Sequence, residues 1–409
     1  MSKEYSFPKD KIKIVLLEGV HQVAVGKLKE EGYLIEEIPR SVSAEELMEI
    51  IPDAHIVGVR SKTKITAEHI KAGKRLLGIG CFGVGTNQVD LDAARVAGVP
   101  VFNAPFGNTR SVAELALCSM LTLARQAGDK NTLMHKGYWD KTAKGCVELR
   151  GKTLGVVGYG HIGQQVGLLA EAVGMKVLFY DRIKRLSLGN AQSTDTIEGL
   201  LKASDFVTLH VPATPDGSAL LGKKELSMMR KGSYVLNLSR GTLIDFKVLR
   251  EVLESGHLAG AAIDVYPSEP KTNAEEFACE LAGVKNVFLT PHIGGSTEEA
   301  QYNIGLEVAA TFIKLINLGT TSGAVNFPQA DLPLAADSHR ILNIHKNVPG
   351  VLTEVNKIIS DSGANIDAQY LSTFKDVGYL IMDISKAASL EVKEKMAALP
   401  TSIRTRILF

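Results

Sequence analysis

Short apolar runs alternate along this chain with longer stretches in which apolar positions recur every three or four residues. The first pattern predicts strands buried on both faces and the second amphipathic helices; their alternation predicts parallel α/β sheets. In a first block, to about Asn108, strand candidates are Ile12 to Leu16, IVGVR from Ile56 to Arg60, LLGIG and VPVFN, with a helical pattern ending near Gly32. A second block, 109–293, repeats the alternation more strongly through TLGVVG, KVLFYD, FVTLHV, YVLNLS, AAIDV and NVFLT, with a helix from Gln164 to Gly174. A long helical pattern after Gly294 and Gly295 is expected to return to the first block. This gives a discontinuous domain of residues 1–108 and 294–336. Asn317 to Asp337 is rich in Gly, Thr, Ser, Pro and Ala and reads as a linker, not a core element. Beyond it, residues 337–409 read strand, helix, strand, strand, helix, strand, the βαββαβ order of a ferredoxin-like unit. A small α+β tail behind two α/β domains suggests regulation by a ligand.

Composition narrows the function classes. Hydrophobic residues make up 45% and charged residues 22%, and the net charge is +1, without the basic excess that nucleic-acid or anionic-membrane partners favour. The start, MSKEYSFPKDK, has no apolar core behind its charges, so a secretory signal is not expected. Thr153 to Ala170 is uncharged, but its five glycines, His161, Gln164 and Gln165 make it a poor membrane span. Cys81, Cys118, Cys146 and Cys279 lie far apart with no CxxC pair. They read as four buried, reduced thiols of a cytoplasmic protein with no zinc site.

The sharpest motif is LGVVGYGHIGQQVG, in which Gly158, Gly160 and Gly163 follow a strand candidate and open a helix. The first glycine permits the tight turn, the second lets backbone approach a diphosphate, and the third lets helix and strand pack closely. The pattern alone is weak, but Asp181 closes the next strand candidate, 18 residues beyond Gly163, where an acid takes ribose hydroxyls. Together they predict a Rossmann-type dinucleotide site. Asp181 favours NAD, because a carboxylate there repels a 2′-phosphate; Arg182, Lys184 and Arg185 work against that preference.

Three further strand ends carry Arg240 in NLSRG, Glu269 in DVYPSEP and His292 in TPHIGG. Singly, each has a bland alternative: a surface-paired cation, a solvated turn charge, a satisfied edge histidine. Together they supply what oxidation of a secondary alcohol needs. An imidazole takes the hydroxyl proton, a carboxylate orients it, and a guanidinium grips a substrate carboxylate through two parallel hydrogen bonds.

The glycine fingerprint with Asp181, followed in order by NLSRG, DVYPSEP and PHIGG, resembles the D-isomer-specific 2-hydroxyacid dehydrogenase family over most of residues 1–336. The resemblance implies a flavodoxin-like substrate domain and a Rossmann domain closing over NAD. It also implies substrate binding by Arg240, orientation of His292 by Glu269, and acid/base chemistry at His292. By the same likeness His161, Ile162, Leu238, Ser239, Asp264, Ile293, Gly294 and Gly295 join Gly158, Gly160, Gly163 and Asp181 around NAD. VGVRSKT, CFGVGTNQVDL and NAPFGNTRSVAEL resemble family members acting on 3-phosphoglycerate in serine biosynthesis. The tail IHKNVPGVLTEVNKIISDSGANIDAQYL resembles an ACT domain, an amino-acid-sensing module.

That likeness implies a phosphate held by Arg60, Ser61 and Asn108, with Gln301 nearby and Lys141 reaching in from a neighbouring subunit. Arg40 is the one basic candidate in EEIPRS. It further implies L-serine bound by His345, Asn347 and Asn365, a homotetramer, and a reverse activity on 2-oxoglutarate. A chain cut near Asp337 is expected to stay active and ignore serine. Rival readings are a dehydrogenase of an unphosphorylated acid and an NAD-sensing scaffold.

Overall fold

A computed structural model describes residues 6–270, 276–333 and 338–409. Contacts divide the chain into two compact units, Met1–Gly107 with Gln301–Phe409, and Asn108–Ala300. The expected boundary at residues 336 and 337 falls outside the described residues.

In the first unit, β1 (Lys13–Leu17), β2 (Leu34–Ile38), β3 (Ile56–Val59), β4 (Gly78–Cys81) and β5 (Val101–Phe102) form a parallel sheet ordered β2-β1-β3-β4-β5. This flavodoxin-like winding reverses between β1 and β3, so the ends of those two strands border the ligand crevice of such sheets. The apolar pattern missed β2 because this edge strand is only partly buried, and its Glu36 and Glu37 pair with Lys13 and Lys29. The helix Glu298–Leu318 turns Ile304, Val308, Phe312 and Leu315 into the core. Gly80 admits it closely, since a Cβ there would stand 2.3 Å from Phe312.

In the second unit, β6 (Thr153–Val157), β7 (Lys176–Tyr180), β8 (Gln192–Ser193), β9 (Phe206–Leu209), β10 (Ser233–Asn237), β11 (Leu258–Ile263) and β12 (Val287–Leu289) are ordered β12-β11-β10-β9-β6-β7-β8. That is Rossmann winding, reversing between β6 and β9. The helix His161–Ala172 begins directly after the glycine turn and buries Val166 and Ala170. The helix Thr109–Arg125 buries Val112, Ala116, Met120 and Leu123.

Two sequence expectations need correction. Only Cys81 is buried; Cys118 is exposed and Cys146 and Cys279 are partly so. Cys118 shares the solvent face of its helix with Arg110 and Glu114, at helical spacing. Nor is the stretch after residue 317 a plain linker. The helix continues to Leu318, and Ala324, Phe327 and Ala330 are buried in the core. Small and turn-forming residues here are packed chain, which composition alone does not distinguish from a tether.

The tail forms an antiparallel sheet, β14-β15-β13-β16, from β13 (His339–Lys346), β14 (Ile366–Phe374), β15 (Val377–Ile384) and β16 (Ser402–Leu408). Alternate residues of its two central strands bury both faces. Ile341, Leu380 and Met382 pack with Val355, Ile359, Val392 and Met396 of the tail's own helices. Leu342, Ile344, Tyr379 and Ile381 join Phe312, Leu315 and Phe327 in the core of the flavodoxin-like sheet. Between the layers the buried Arg340 makes two bonds to Asp383 (2.6 and 2.7 Å) and donates to the carbonyls of Leu318, Leu332 and Pro333.

A regulatory appendage would come away cleanly; this one leaves an apolar face behind. The expectation that a chain cut near Asp337 stays active therefore gives way to a different one: the cut chain should melt earlier and aggregate. Arg340→Ala should likewise cost this unit about 3–5 kcal/mol by removing the cation paired with the buried Asp383 and the donor to three carbonyls, read as a lower transition for one unit in calorimetry.

Candidate active site

The carboxyl ends of β6, β7, β10, β11 and β12 each contribute to one edge of the Rossmann sheet. After β6, Gly158 takes φ 91°, and a Cβ there would stand 2.4 Å from the His210 carbonyl. A Cβ at Gly163 would stand 2.1 Å from the Gly158 carbonyl, while Gly160 has open space around it. The turn is thus tight where chain meets chain and open where a diphosphate would approach, at the N-terminus of a 12-residue helix opened by His161 and Ile162. At the end of β7, Asp181 accepts from Tyr159 N and Ile183 N, both at 2.9 Å, and pairs with Arg185 at 3.3 Å. Its carboxylate braces the glycine turn, a task the motif spacing did not reveal. These features fit an adenine dinucleotide.

NLSRG follows β10. Buried Asn237 shapes it, accepting from Ser239 N (3.1 Å) and donating to Arg240 O (2.8 Å). Ser239 Oγ donates to Leu209 O, and Leu238 is buried. Gly241 is obligatory, because a Cβ would fall 1.9 Å from Tyr266 in the DVYPSEP segment. Arg240 Nη1 donates to Ser239 O at 2.7 Å. Burial draws its pKa below the ordinary arginine value, opposed by the charge of Glu269. Guanidinium stays cationic even so.

Asp264, at the end of β11, is 1% exposed. Its Oδ1 accepts from Thr290 Oγ1 (2.6 Å) and Ile293 N (2.8 Å), and its Oδ2 from Gly294 N (2.9 Å). It therefore clamps the loop after β12 that carries His292, whose backbone is left-handed at φ 54°. Gly295 leaves room for Asn108, as a Cβ would stand 2.7 Å from its Nδ2.

His292 Nδ1 donates to Glu269 Oε2 at 2.8 Å, and Glu269 Oε1 accepts from Tyr266 N at 3.2 Å. With Nδ1 holding the proton, Nε2 carries the lone pair that can accept a substrate proton. The hydrogen bond to Glu269 raises the histidine pKa above 6.5, against burial and Arg240. Burial alone would raise Glu269, but its bond to His292 and their charge attraction outweigh this and lower it. The hydrogen-bonded His292–Glu269 pair and Arg240 thus lie within one unit.

The other expected residues lie elsewhere. Arg60 and Ser61 follow β3, and Gln301 is on the helix Glu298–Leu318. Arg40 is taken up by two bonds to Glu46. Lys141 is in an exposed stretch after the helix Ala127–His135. His345 is buried with Nδ1 against Asn343, and Asn347 donates to Lys375 O. Asn365 precedes Ile366, which pairs with Ile384, whereas Lys346 pairs with Val377. The sheet register thus sets Asn347 and Asn365 at opposite ends of the eight-residue strand β15, roughly 25 Å apart. One chain does not bring the three effector residues together.

Dinucleotide turn, paired histidine and buried arginine define an NAD-dependent oxidoreductase of the doubly wound class. The chain belongs to the D-isomer-specific 2-hydroxyacid dehydrogenase family. The profile of that family's NAD-binding domain matches residues 117–294, and one of an AHAS small subunit-like ACT domain matches 341–404. The chain is 52% identical over 409 residues to D-3-phosphoglycerate dehydrogenase of Dictyostelium discoideum, covering 100% of both chains. It is also 52% identical to the Escherichia coli K12 protein of that name, covering 99% of each. Among solved structures, D-lactate dehydrogenase with NAD+ from Lactobacillus jensenii aligns with TM-score 0.66 at 27% identity, covering 77% of this chain and 99% of that one. No described helix is long and apolar enough to cross a membrane.

Were His292 the base of the oxidation, its neutral form would be the competent one, and its raised pKa would set an acid limb in kcat/KM above 6.5, with activity lost as pH falls through it. Glu269→Gln removes the largest raising contribution, leaving burial and Arg240 to lower the pKa against the smaller pull of Asp264. The limb should then move to lower pH, as a pH–rate profile would record.

Proposed function

We propose that the protein oxidises 3-phosphoglycerate to 3-phosphohydroxypyruvate with NAD, as the first step of serine synthesis in the cytoplasm. Full-length 52% identity to relatives named for that reaction carries the reading. A local observation supports it: Arg60, beside the winding reversal between β1 and β3, has no carboxylate partner among the described residues. A phosphate with nearly two negative charges suits such a guanidinium, with the Ser61 hydroxyl, Asn108 and Gln301 as further donors.

Arg240 takes the substrate carboxylate through paired N–H groups, and His292 Nε2 accepts the C2 hydroxyl proton. Glu269 stabilises the imidazolium that results. NAD, when bound, supplies the acceptor for the C2 hydrogen and its electron pair. Run backwards, the same groups reduce a 2-oxo acid, 2-oxoglutarate among them.

The homotetramer finds support in an apolar surface. The helix Ala127–His135 buries no residue; its Met134, with Tyr138 and Trp139 beyond it, is part of a patch in which these three are 50, 65 and 79% exposed. A partner copy covering that patch would receive Lys141. Serine, if held by His345, Asn347 and Asn365, needs the tails of two copies, since a single chain separates these residues. The tail, residues 337–409, then serves as a regulatory domain built into the substrate domain's core.

NADH formation tests the scheme. 3-Phosphoglycerate should be preferred over glycerate, and serine should lower its rate. Arg60→Ala should raise the KM for the phosphorylated acid by about 10- to 100-fold. An unchanged preference in that variant would reassign the phosphate contact, and a preference for glycerate would favour an unphosphorylated substrate.

A further inference from the structure

At the end of β1, Glu18 adopts a left-handed backbone, φ 66°, although it is not glycine. It is 9% exposed. Its own N–H donates to Ile38 O (2.9 Å) and Arg40 O (3.2 Å), which fixes the strained turn against the neighbouring strand's end. From there the side chain meets the loop after β3. Glu18 Oε2 accepts from Ser61 N and Lys62 N, both at 3.0 Å, and Oε1 accepts from Thr63 N at 2.6 Å.

Three successive N–H groups converging on one point form the concave anion trap that backbone makes without side chains. Here a carboxylate of the same chain fills it. Because both oxygens are occupied by amides, the charge of Glu18 is not spent on Arg60, one residue away. Arg60 makes a single long contact, Nη1 to the Glu18 carbonyl at 3.5 Å. Its own carbonyl is held from the other side by Gln88 Nε2 at 2.5 Å, a side chain 4% exposed that also donates to Gly85 O. Both flanks of Arg60 are thus fixed while its guanidinium keeps its charge available.

We infer that Glu18 is a positioning residue for the substrate's phosphate: its carboxylate plugs the amide trap of residues 61–63, which orders the Arg60–Ser61 loop and keeps free anions out of it. The inference rests on the reading that Arg60 and Ser61 hold that phosphate. A negative group beside a phosphate site would ordinarily repel the ligand. Spent on amides, it rigidifies the site instead. A glutamate that merely closed a turn would share the geometry but not the consequence for one substrate's affinity.

The test compares wild type, Glu18→Ala, Glu18→Gln and Arg60→Ala in the full-length enzyme, measuring kcat and the KM values for 3-phosphoglycerate and NAD. Glu18→Ala should raise the KM for 3-phosphoglycerate on the order of tenfold, with the KM for NAD unmoved. Acetate, which fits the emptied trap, should restore it in that variant and not in wild type. Inorganic phosphate should inhibit Glu18→Ala more strongly than wild type. If Glu18→Ala does not fold, Glu18→Gln keeps the volume and one acceptor oxygen and should show the same selective rise. Folded Glu18 variants with an unchanged KM for 3-phosphoglycerate, or with every parameter falling alongside the melting temperature and no acetate rescue, overturn the inference. Where Arg60→Ala raises that KM and the Glu18 variants do not, this inference alone fails. Where Arg60→Ala also leaves it unchanged, the phosphate reading fails and takes the inference with it.

Discussion

His292 itself takes a left-handed backbone conformation, and the buried carboxylate of Asp264 is what keeps its loop in place. Three hydrogen bonds of 2.6–2.9 Å, from Thr290, Ile293 and Gly294, bracket the histidine on both sides. A conformation that costs a non-glycine residue roughly 1–2 kcal/mol persists only where its surroundings over-determine it. Once the loop is fixed, Glu269 can reach Nδ1 and the ring presents Nε2 outward. Release the clamp, and the bond of His292 to Glu269, its raised pKa and its relation to Arg240 go together.

The same device recurs at other strand ends. Asp181 ties the glycine turn to the end of β7 through Tyr159 and Ile183. Glu18 ties the loop after β3 to the end of β1. Each is an acidic residue just past a parallel strand, where loops must be exposed to meet ligands and yet hold side chains to a fraction of an ångström. A carboxylate offers about four acceptor sites in a small volume, so one residue can pin several amides that no sheet neighbour would satisfy. Rigidity at the mouths of these sheets comes from polar anchors, where the sheets themselves rely on Val, Ile and Leu packing.

What the sequence made legible follows the same division. Strong apolar runs such as Leu154–Val157 and Val235–Leu236 have one reading, and the glycine turn with Asp181 has little other use, so the Rossmann unit and its cofactor were readable. So was the pairing of His292 with Glu269, because both lie past apolar runs at predictable strand ends. Edge strand β2 was hidden by its glutamates. Gly319 to Pro333 looked like a tether because small residues pack as well as they bend. The tail's elements were clear one by one. That its second face is buried depends on Leu342, Ile344, Tyr379 and Ile381 finding Phe327 and Leu315, contacts between residues far apart in the chain. The anchoring tasks of Asp264 and Glu18 were equally invisible, since they lie in which amides surround an oxygen.

The central claim is that His292 and Glu269 act as one unit, the carboxylate working only through the ring it holds. A double-mutant cycle on kcat/KM with Glu269→Gln and His292→Asn tests it directly. Groups that act as a unit are non-additive, and loss of the base is expected to cost about 10²- to 10⁴-fold. The account predicts that adding Glu269→Gln to His292→Asn costs little more than His292→Asn alone. Losses that simply multiply would show the two residues contributing independently, and would contradict it.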